Sequence, residues 1–514
     1  MKGENMNESH TGCCGCHGLE MGRRTFLAAA SGTAISVTAA AAPARTLEPR
    51  SARVKPAIKK KELVVQPIFM YQKFQRREAT SWRPWGGLHS DDDIAREAQR
   101  IESELRKLSG DAEFPLRILP LLAVTNNAEA ETARATQSDV HLIYAANGDA
   151  LDALLAPDRH NLVFVRHKSG PVYLWYEIVH PRMLRKTVDE YGEPRLSTDD
   201  VIVDDMGAVL WRLRALYALK NSVGSRIIAI GGASGWGKGG QDAPQRAQEK
   251  WKLDIVDVKY DDLSKRIAAL RNSSGHMDHY RAEAAEYLQL PKTKLETKAD
   301  FVSGAFLLRD VFEQIMAETD ASAITVNECM STIMPMACTT ACLTLTFIND
   351  AGMLAFCESD FVVIPSGILL NHIASTPVFL QDPTYPHHGI ITLAHCTAPR
   401  RMDGKRLEPA RILTHFESDY GAAPKVDMRI GQTVTVIDPD FTESRWLGFR
   451  GTIQDNPFMD ICRSQVDVAI EGNCDELARE MRGFHWMLAY GDHLKETGYA
   501  LKKQGINWLD ITHA

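Results

Sequence analysis

Short apolar runs of the kind that form β-strands recur along this chain and alternate with longer helical patterns. Such alternation is typical of parallel sheets with helices packed on them. The sequence therefore predicts an α/β protein with two tandem doubly wound α/β domains. Helical patterns cover 91–108 and 300–318. The strand-like runs cover 63–71, 116–124, 140–145, 162–165 and 172–178 in the first domain, and 225–232, 253–258 and 324–326 in the second.

The last part of the chain has a different character, because its runs at 431–438 and 466–470 indicate antiparallel strands. We predict a smaller C-terminal domain there that is rich in antiparallel β. With 514 residues, 44% of them hydrophobic, the chain can bury two or three cores. Its formal net charge of −7 gives no sign of a nucleic-acid partner. The predicted division is a signal peptide at 1–44, a linker at 45–61, an N-terminal α/β domain at 62–220, a second α/β domain at 221–376 and a C-terminal domain at 377–514.

The N-terminus has the pattern of an export signal. Arg23 and Arg24 precede a mildly apolar run at 28–42 that ends in small residues. This is typical of a twin-arginine signal peptide, with cleavage near Ala42 or Ala44. The run is too weakly apolar for a good membrane span. We therefore predict a protein that is exported in folded form to the periplasm or another extracytoplasmic space, with no stable membrane span in its mature form.

Cysteines form two groups. The haem c attachment pattern at 13–17 lies upstream of the export signal, so cleavage would remove it, and an incidental or metal-binding tail is favoured over haem. Seven cysteines remain, and an odd number spread over a large chain does not indicate a disulfide scaffold. The spacing of Cys338 and Cys342 is that of helix neighbours. We expect buried thiols that act as small apolar residues among Cys329, Cys338, Cys342, Cys357, Cys396, Cys462 and Cys474.

Three short apolar runs in the C-terminal half end in a carboxylate or an imidazole, at Glu358, Asp382 and His395. In open α/β sheets, ligands bind and active sites lie where the strands end. Oxygen donors together with an imidazole are ligands for Mn²⁺, Mg²⁺ or Zn²⁺. A helix at 361–375 would make a crossover with parallel strands, which places Glu358 and Asp382 at one sheet edge. The alternative for each acidic residue is a helix N-cap or a tight turn.

His395 fits this arrangement less simply. Only a short turn at 383–388 separates its strand from Asp382. A plain hairpin is expected to place His395 about 20 Å from Asp382, at ~3.3 Å per residue. His395 is therefore predicted to be a ligand only if its strand does not pair back onto the preceding one.

The spacing of Glu358 and Asp382, the helix between them, the Ala-His395-Cys turn and the late segment around His485 resemble the L-fucose isomerase and L-arabinose isomerase superfamily. The resemblance covers the chain from about residue 203 onward. It implies that Glu358 and Asp382 bind Mn²⁺ and act on the sugar, and that His485 is a further ligand. His395 stands where the arabinose isomerase branch has another ligand, which the fucose branch lacks. A homo-oligomer, a trimer or hexamer, is also implied.

By this resemblance we expect a metal-dependent aldose–ketose isomerase that acts on a monosaccharide, with Glu358 and Asp382 as catalytic residues. The reaction passes through an ene-diol, so it needs an acid/base pair and a group that holds the developing negative charge. A divalent ion serves as Lewis acid and template. Two alternatives stay open: a periplasmic sugar-binding protein without catalysis, and an epimerase or lyase that shares the first proton transfer.

The glycine-rich loop at 231–240 follows a strand and has a glycine and a lysine at P-loop spacing. Gly239 occupies the position where a Ser or Thr should hold Mg²⁺, which argues against a nucleotide site. We predict instead a loop near the sugar site or a tight turn with close backbone approach. Trp486 is expected to belong to the core. No site role is predicted for His276, His279, His387 and His388.

Overall fold

The structure of the chain is a computed structural model that describes residues 60–73, 78–79, 87–170, 196–273 and 275–514. The predicted signal peptide at 1–44, most of the linker at 45–61 and the predicted strand at 172–178 lie outside the described residues. These three features stay predictions.

A parallel sheet with helices forms the first α/β unit. Its strands are β1 (Leu63–Met70), β2 (Leu116–Ile118), β3 (Leu122–Val124), β4 (Val140–Ala145), β5 (His160–Val165) and β6 (Val201–Val203). The helices are α1 (Asp91–Asp111), α2 (Asn127–Arg134), α3 (Leu151–Leu154) and α4 (Met206–Ser222). The strand order is β2–β1–β4–β5–β6, with β3 also paired to β1. These pairings are parallel, as predicted.

The run at 116–124 forms two strands instead of the one predicted. The strand β2 ends at Ile118 and β3 begins at Leu122. Pro120 lies between them and has no N–H to donate to a strand ladder, so the run is interrupted there. Both pieces still pair with β1, one after the other.

A second parallel sheet has the strands β7 (Arg226–Ile230), β8 (Asp254–Val258), β10 (Ala323–Val326) and β11 (Leu354–Cys357) in the order β11–β10–β7–β8. Its helices are α5 (Ala243–Trp251), α6 (Tyr260–Asn272), α7 (His276–Leu288), α8 (Ala299–Thr319), α9 (Met334–Ala337) and α10 (Cys342–Asp350). Because these strands are parallel, their carboxyl ends meet at one edge of the sheet. Gly231, Asn327 and Glu358 follow directly after β7, β10 and β11 at this edge.

The C-terminal part contains a closed antiparallel barrel. Its strands are β12 (Phe379–Pro383), β13 (Ile390–His395), β16 (Thr433–Asp438), β17 (Arg445–Asp455), β18 (Ser464–Ile470) and β19 (Trp486–Tyr490). They follow the order β16–β19–β12–β13–β18–β17, and the pairing of β16 with β17 closes the barrel. The prediction of antiparallel structure here is confirmed, whereas the number and bounds of the domains stay predictions.

Further elements complete this region. β20 (Asn507–Asp510) pairs with β17 in parallel. A small sheet of β9 (Thr293–Leu295), β14 (Ala410–His415) and β15 (Tyr420–Val426) has the order β15–β14–β9. The remaining helices are α11 (Ile364–Ala374), α12 (Cys474–Glu480) and α13 (Leu494–Lys503).

The helix α11 connects the second parallel sheet to the barrel and packs between them. A Cβ atom added at Gly367 would lie 2.5 Å from the ring of Phe356 in β11 and 2.7 Å from Cε of Met487 in β19. The predicted crossover with parallel strands is wrong, because β11 belongs to the parallel sheet and β12 to the barrel. Both edges of β12 are occupied by antiparallel partners, β13 and β19.

Among the described residues, no single helix is long and apolar enough to cross a membrane. The segments Cys329–Ala337 and Cys342–Asp350 reach that length and composition only as a pair, which is bent by 87°. The bend follows from Cys338, whose φ of 53° ends α9. Cys338 and Cys342 are therefore not neighbours on one helix, and the prediction from their spacing is wrong.

Candidate metal centre

Glu358 lies directly after β11, at the edge where the strands of the second parallel sheet end. The chain turns there through two left-handed residues, with a φ of 63° at Glu358 and 47° at Ser359. Such conformations cost a non-glycine residue about 1–3 kcal/mol and cluster at functional sites. The N–H of Ser359 donates to Oγ1 of Thr325 at 3.1 Å, which fixes the turn against β10.

Asp382 and His395 come from the two strands of one hairpin in the barrel. Asp382 pairs with Ala394 across β12 and β13, so His395 is the next residue along the partner strand. The prediction that a plain hairpin separates Asp382 from His395 by about 20 Å is wrong. Asp382 and Ala394 lie equally far from His388 in the turn, and antiparallel pairing brings such positions together.

His485 immediately precedes β19, which pairs with β12 on the side away from β13. Its Nε2 atom lies 3.2 Å from Oε2 of Glu358 and 3.3 Å from Oδ1 of Asp382. The Nε2 atom of His395 lies 3.8 Å from Oε1 of Glu358. The structure therefore brings together all four residues that the sequence suggested as ligands.

Asp360 holds the other nitrogen of His485. Its Oδ2 atom lies 2.7 Å from Nδ1 of His485, and its Oδ1 atom accepts hydrogen bonds from the N–H groups of Trp236 at 3.2 Å and Val362 at 3.1 Å. A carboxylate on the second nitrogen fixes the orientation and tautomer of a metal-binding histidine. Sequence reasoning gave Asp360 no role, although its position two residues after Glu358 was a signal.

Three buried atoms at the inner surface of the centre make no hydrogen bond of good geometry: Oδ1 of Asp382, Nε2 of His395 and Nε2 of His485. Their polar contacts are the ion-pair distances of 3.2–3.8 Å given above. Ligand atoms of these residues lie within 4.8 Å of one another. Buried polar atoms without partners are costly, and one cation would satisfy all three. Carboxylate oxygens and imidazole nitrogens favour a divalent ion such as Mn²⁺, Mg²⁺ or Zn²⁺. These residues, with Glu358 beside them, fit such an ion.

Opposite charges dominate the electrostatics of the centre. Burial raises the pKa of Glu358, but His485 and His395 lower it by more, so the pKa lies well below its usual range. Burial lowers the pKa of His395, whereas Glu358 and Asp382 raise it, to about 10. Burial and the neighbouring carboxylates compete in the same way at His485, and the carboxylates raise its pKa well above the ordinary value. A bound ion would take the place of the protons on these histidines.

The glycine-rich loop at 231–240 packs against the centre. A backbone hydrogen bond of 3.3 Å ties the loop to the carbonyl of Ser359. The ring of Trp236 stacks on Phe484 with 4.2 Å between ring centroids and meets the ring of His485 edge-on at 5.5 Å. The loop therefore supports the segment that carries His485, a role that the sequence did not reveal.

The loop also approaches itself closely, as predicted for a tight turn. A Cβ atom at Gly235 would lie 2.2 Å from the carbonyl oxygen of Gly240. Trp486 is fully buried, and its Nε1 donates to the carbonyl of Gly483 at 3.1 Å, so its predicted core position is confirmed. The four histidines without a predicted role lie at the start of α7 and in the exposed turn of the hairpin: His276, His279, His387 and His388.

No protein-family model matches the chain, and no curated protein matches it. The resemblance to the L-fucose isomerase and L-arabinose isomerase superfamily therefore depends on the residues named above. What that resemblance implies for the activity of this chain is a proposal.

Proposed function

We propose that this protein is a metal-dependent aldose–ketose isomerase, with Glu358 and Asp382 as its acid/base pair and Mn²⁺ as its ion. The observation that supports this most is the convergence of buried ligand atoms of Asp382, His395 and His485, none of which makes a hydrogen bond of good geometry, beside the carboxylate of Glu358. The choice of Mn²⁺ and of isomerisation comes from the family resemblance.

The two carboxylates form the accessible side of the centre. The side chains of Glu358 and Asp382 are 24% and 18% exposed, whereas those of His395 and His485 are 1% and 0% exposed. A substrate that enters from solvent would therefore meet the carboxylates first. The histidines lie behind them, where they would hold the ion.

The residues divide the chemistry among them. One carboxylate removes a proton from a substrate carbon and returns it to the neighbouring carbon, and the other moves a proton between the two oxygens. The ion, when bound, stabilises the negative charge that develops on these oxygens. Asp360 keeps the ring of His485 oriented so that Nε2 faces the centre.

The remaining parts of the proposal come from the sequence. On the basis of the twin-arginine pattern we propose export of the folded chain, which suits an ion acquired in the cytoplasm. On the basis of the resemblance we propose a monosaccharide substrate and a homotrimer or homohexamer. An epimerase or lyase would use the same first proton transfer. A sugar-binding protein is the weaker alternative, because it needs neither the ion nor the paired carboxylates.

Solvent exchange tests the proposal directly. Purified wild-type protein is loaded with Mn²⁺, and uptake of deuterium from D₂O into a panel of aldoses and ketoses is followed by mass spectrometry. We expect deuterium at the carbon next to the carbonyl of one sugar. Glu358→Gln is expected to reduce this exchange by about 10²–10⁴-fold, the usual contribution of an acid/base group.

Asp467→Asn is the matched control. Its carboxylate lies on β18 of the same barrel and accepts a hydrogen bond from Thr392. Exchange in this variant is expected to equal that of the wild type. Wild-type protein that binds Mn²⁺ but exchanges no sugar proton would contradict the isomerase proposal.

A further inference from the structure

A second group of side chains with metal-ligand chemistry lies on the other side of His395 from the carboxylate centre. The Sγ atoms of Cys342 and Cys396 are 3.3 Å apart. Together with His415, these residues place three ligand atoms within 4.8 Å of one another, and all three residues are buried. The group is distinct from the carboxylate centre in its donors, because it offers two thiols and an imidazole and no oxygen.

Three separate elements supply this group. Cys342 begins α10, Cys396 follows β13, and His415 ends β14. The ring of His395 lies between this group and the carboxylate centre. Its Nε2 atom faces Glu358. Its Nδ1 atom lies 3.2 Å from Oγ1 of Thr397 and 3.7 Å from Sγ of Cys396.

The distance between the two sulfur atoms is close to the distance expected when both bind one ion. Two thiolates bound to one Zn²⁺ with Zn–S bonds of about 2.3 Å lie about 3.8 Å apart, so the observed 3.3 Å between Cys342 and Cys396 needs only a small side-chain adjustment. Thiols that only fill the core as small apolar residues would not require the imidazole of His415 beside them.

We propose that Cys342, Cys396 and His415 bind a thiophilic transition-metal ion of the Zn²⁺ class. Soft thiolate ligands select such ions, whereas carboxylates favour harder ones. Binding releases the thiol protons to solvent. The ion would join α10, β13 and β14 and hold the strand end that carries His395. This inference does not depend on the isomerase activity.

Cobalt spectroscopy separates the two sites. The full-length protein, with Cys13, Cys14 and Cys16 replaced by Ser so that its N-terminal tail offers no thiolate, is purified under reducing conditions, freed of metal and titrated with Co²⁺. Thiolate ligands give a sulfur-to-cobalt charge-transfer band in the near ultraviolet, which oxygen and nitrogen ligands do not give. We expect this band in the tail variant and when Glu358→Gln is added to it, and a loss of at least half of its intensity when either Cys342→Ser or Cys396→Ser is added, because each removes one of the two thiolates.

Two further variants serve as controls. Cys474→Ser is expected to keep the band, because Cys474 begins α12 and is not part of the group. Cys357→Ser tests the other assignment, since Cys357 could join Glu358 and His395 around one ion. A band lost in Cys357→Ser but kept in Cys342→Ser would overturn the proposal.

X-ray absorption of the same tail variant, with one equivalent of Zn²⁺ added in the presence of excess Mn²⁺, tests the ligand set directly. A shell of two sulfur atoms is the expected result, and a shell of oxygen and nitrogen alone would overturn the proposal. A disulfide between Cys342 and Cys396, detected by peptide mass mapping of protein purified without reductant, would also overturn it. Failure of deuterium exchange on sugars would bear only on the isomerase proposal.

Discussion

Oδ2 of Asp360 lies 2.7 Å from Nδ1 of His485, and both side chains are buried. This hydrogen bond joins the edge of the second parallel sheet to the barrel. It leaves Nε2 of His485 directed at Glu358 and Asp382. The orientation of the proposed metal ligand therefore depends on a residue that does not itself face the ion.

Replacing Asp360 with Asn is expected to weaken binding of Mn²⁺ by about 10–100-fold, because the histidine loses the charged partner that orients it. Isothermal titration calorimetry measures the affinity. Asp310→Asn is the control: Asp310 is also buried and accepts a hydrogen bond from Tyr280 at 2.6 Å, in the core around α8. Equal affinities for Asp360→Asn and the wild type would show that Asp360 does not orient His485.

Metal is expected to stabilise the folded chain. An ion that binds only the native state at a free concentration of 100 Kd adds about 2.7 kcal/mol to the free energy of unfolding. Thermal unfolding with Mn²⁺ and then with a chelator should show this difference in the wild type. The difference should be much smaller in Asp382→Asn, which lacks one carboxylate of the centre. A wild-type Tm that is unaffected by every divalent ion tested would argue against the site.

Acid is expected to destabilise the protein through buried neutral histidines, of which His372 is one. Burial lowers its pKa to about 4, and nearby Lys60 and Lys61 lower it further. The unfolded chain binds a proton near the ordinary histidine pKa of about 6.5. The stability due to neutral His372 is therefore complete above that value and is lost as the pH falls toward 4.

His372→Leu should remove this part of the acid sensitivity. Between pH 6.5 and 4 the variant is expected to lose about 1–3 kcal/mol less stability than the wild type. Denaturant unfolding at several pH values, with a chelator present throughout, gives the comparison. The exposed His513→Leu should follow the wild type. Parallel curves for His372→Leu and the wild type would refute the prediction.

Gly367 is expected to tolerate no side chain. A Cβ atom there would meet Phe356 and Met487 at 2.5 Å and 2.7 Å, so Gly367→Ala should destabilise the fold by about 1–3 kcal/mol through overpacking. Gly110→Ala, in α1, meets nothing within 4 Å and should be neutral or stabilising by up to about 1 kcal/mol. Chemical denaturation gives the free energy of unfolding of both variants. Equal changes in Gly367→Ala and Gly110→Ala would contradict the prediction.

Local features of this fold could be predicted from its sequence. Short apolar runs that stop at Glu358 and Asp382 predict the ends of β11 and β12 to within one residue, since β11 ends at Cys357 and β12 at Pro383. A helix between them follows from the length of the intervening segment. The partners of these strands could not be predicted, because pairing depends on contacts that are distant in sequence. For this reason the predicted shared sheet is wrong, although the two carboxylates do converge on His485.

The surroundings of the centre were harder to predict than its ligands. Asp360 is close to Glu358 in sequence, but its role depends on its contact with His485, which is 125 residues away in sequence. The support from Trp236 depends in the same way on its stacking against Phe484. The position of His395 could have been predicted by counting residues on each side of the hairpin turn.

The centre takes Glu358 and Asp360 from the parallel sheet and its other members from the barrel, the last of them just before β19. A growing chain therefore cannot assemble the full ligand set until His485 has been synthesised and both parts have docked. Occupancy of the proposed metal site would then mark completed assembly. Under the proposed export of the folded chain, a molecule that holds its ion would already have brought the parallel sheet and the barrel together.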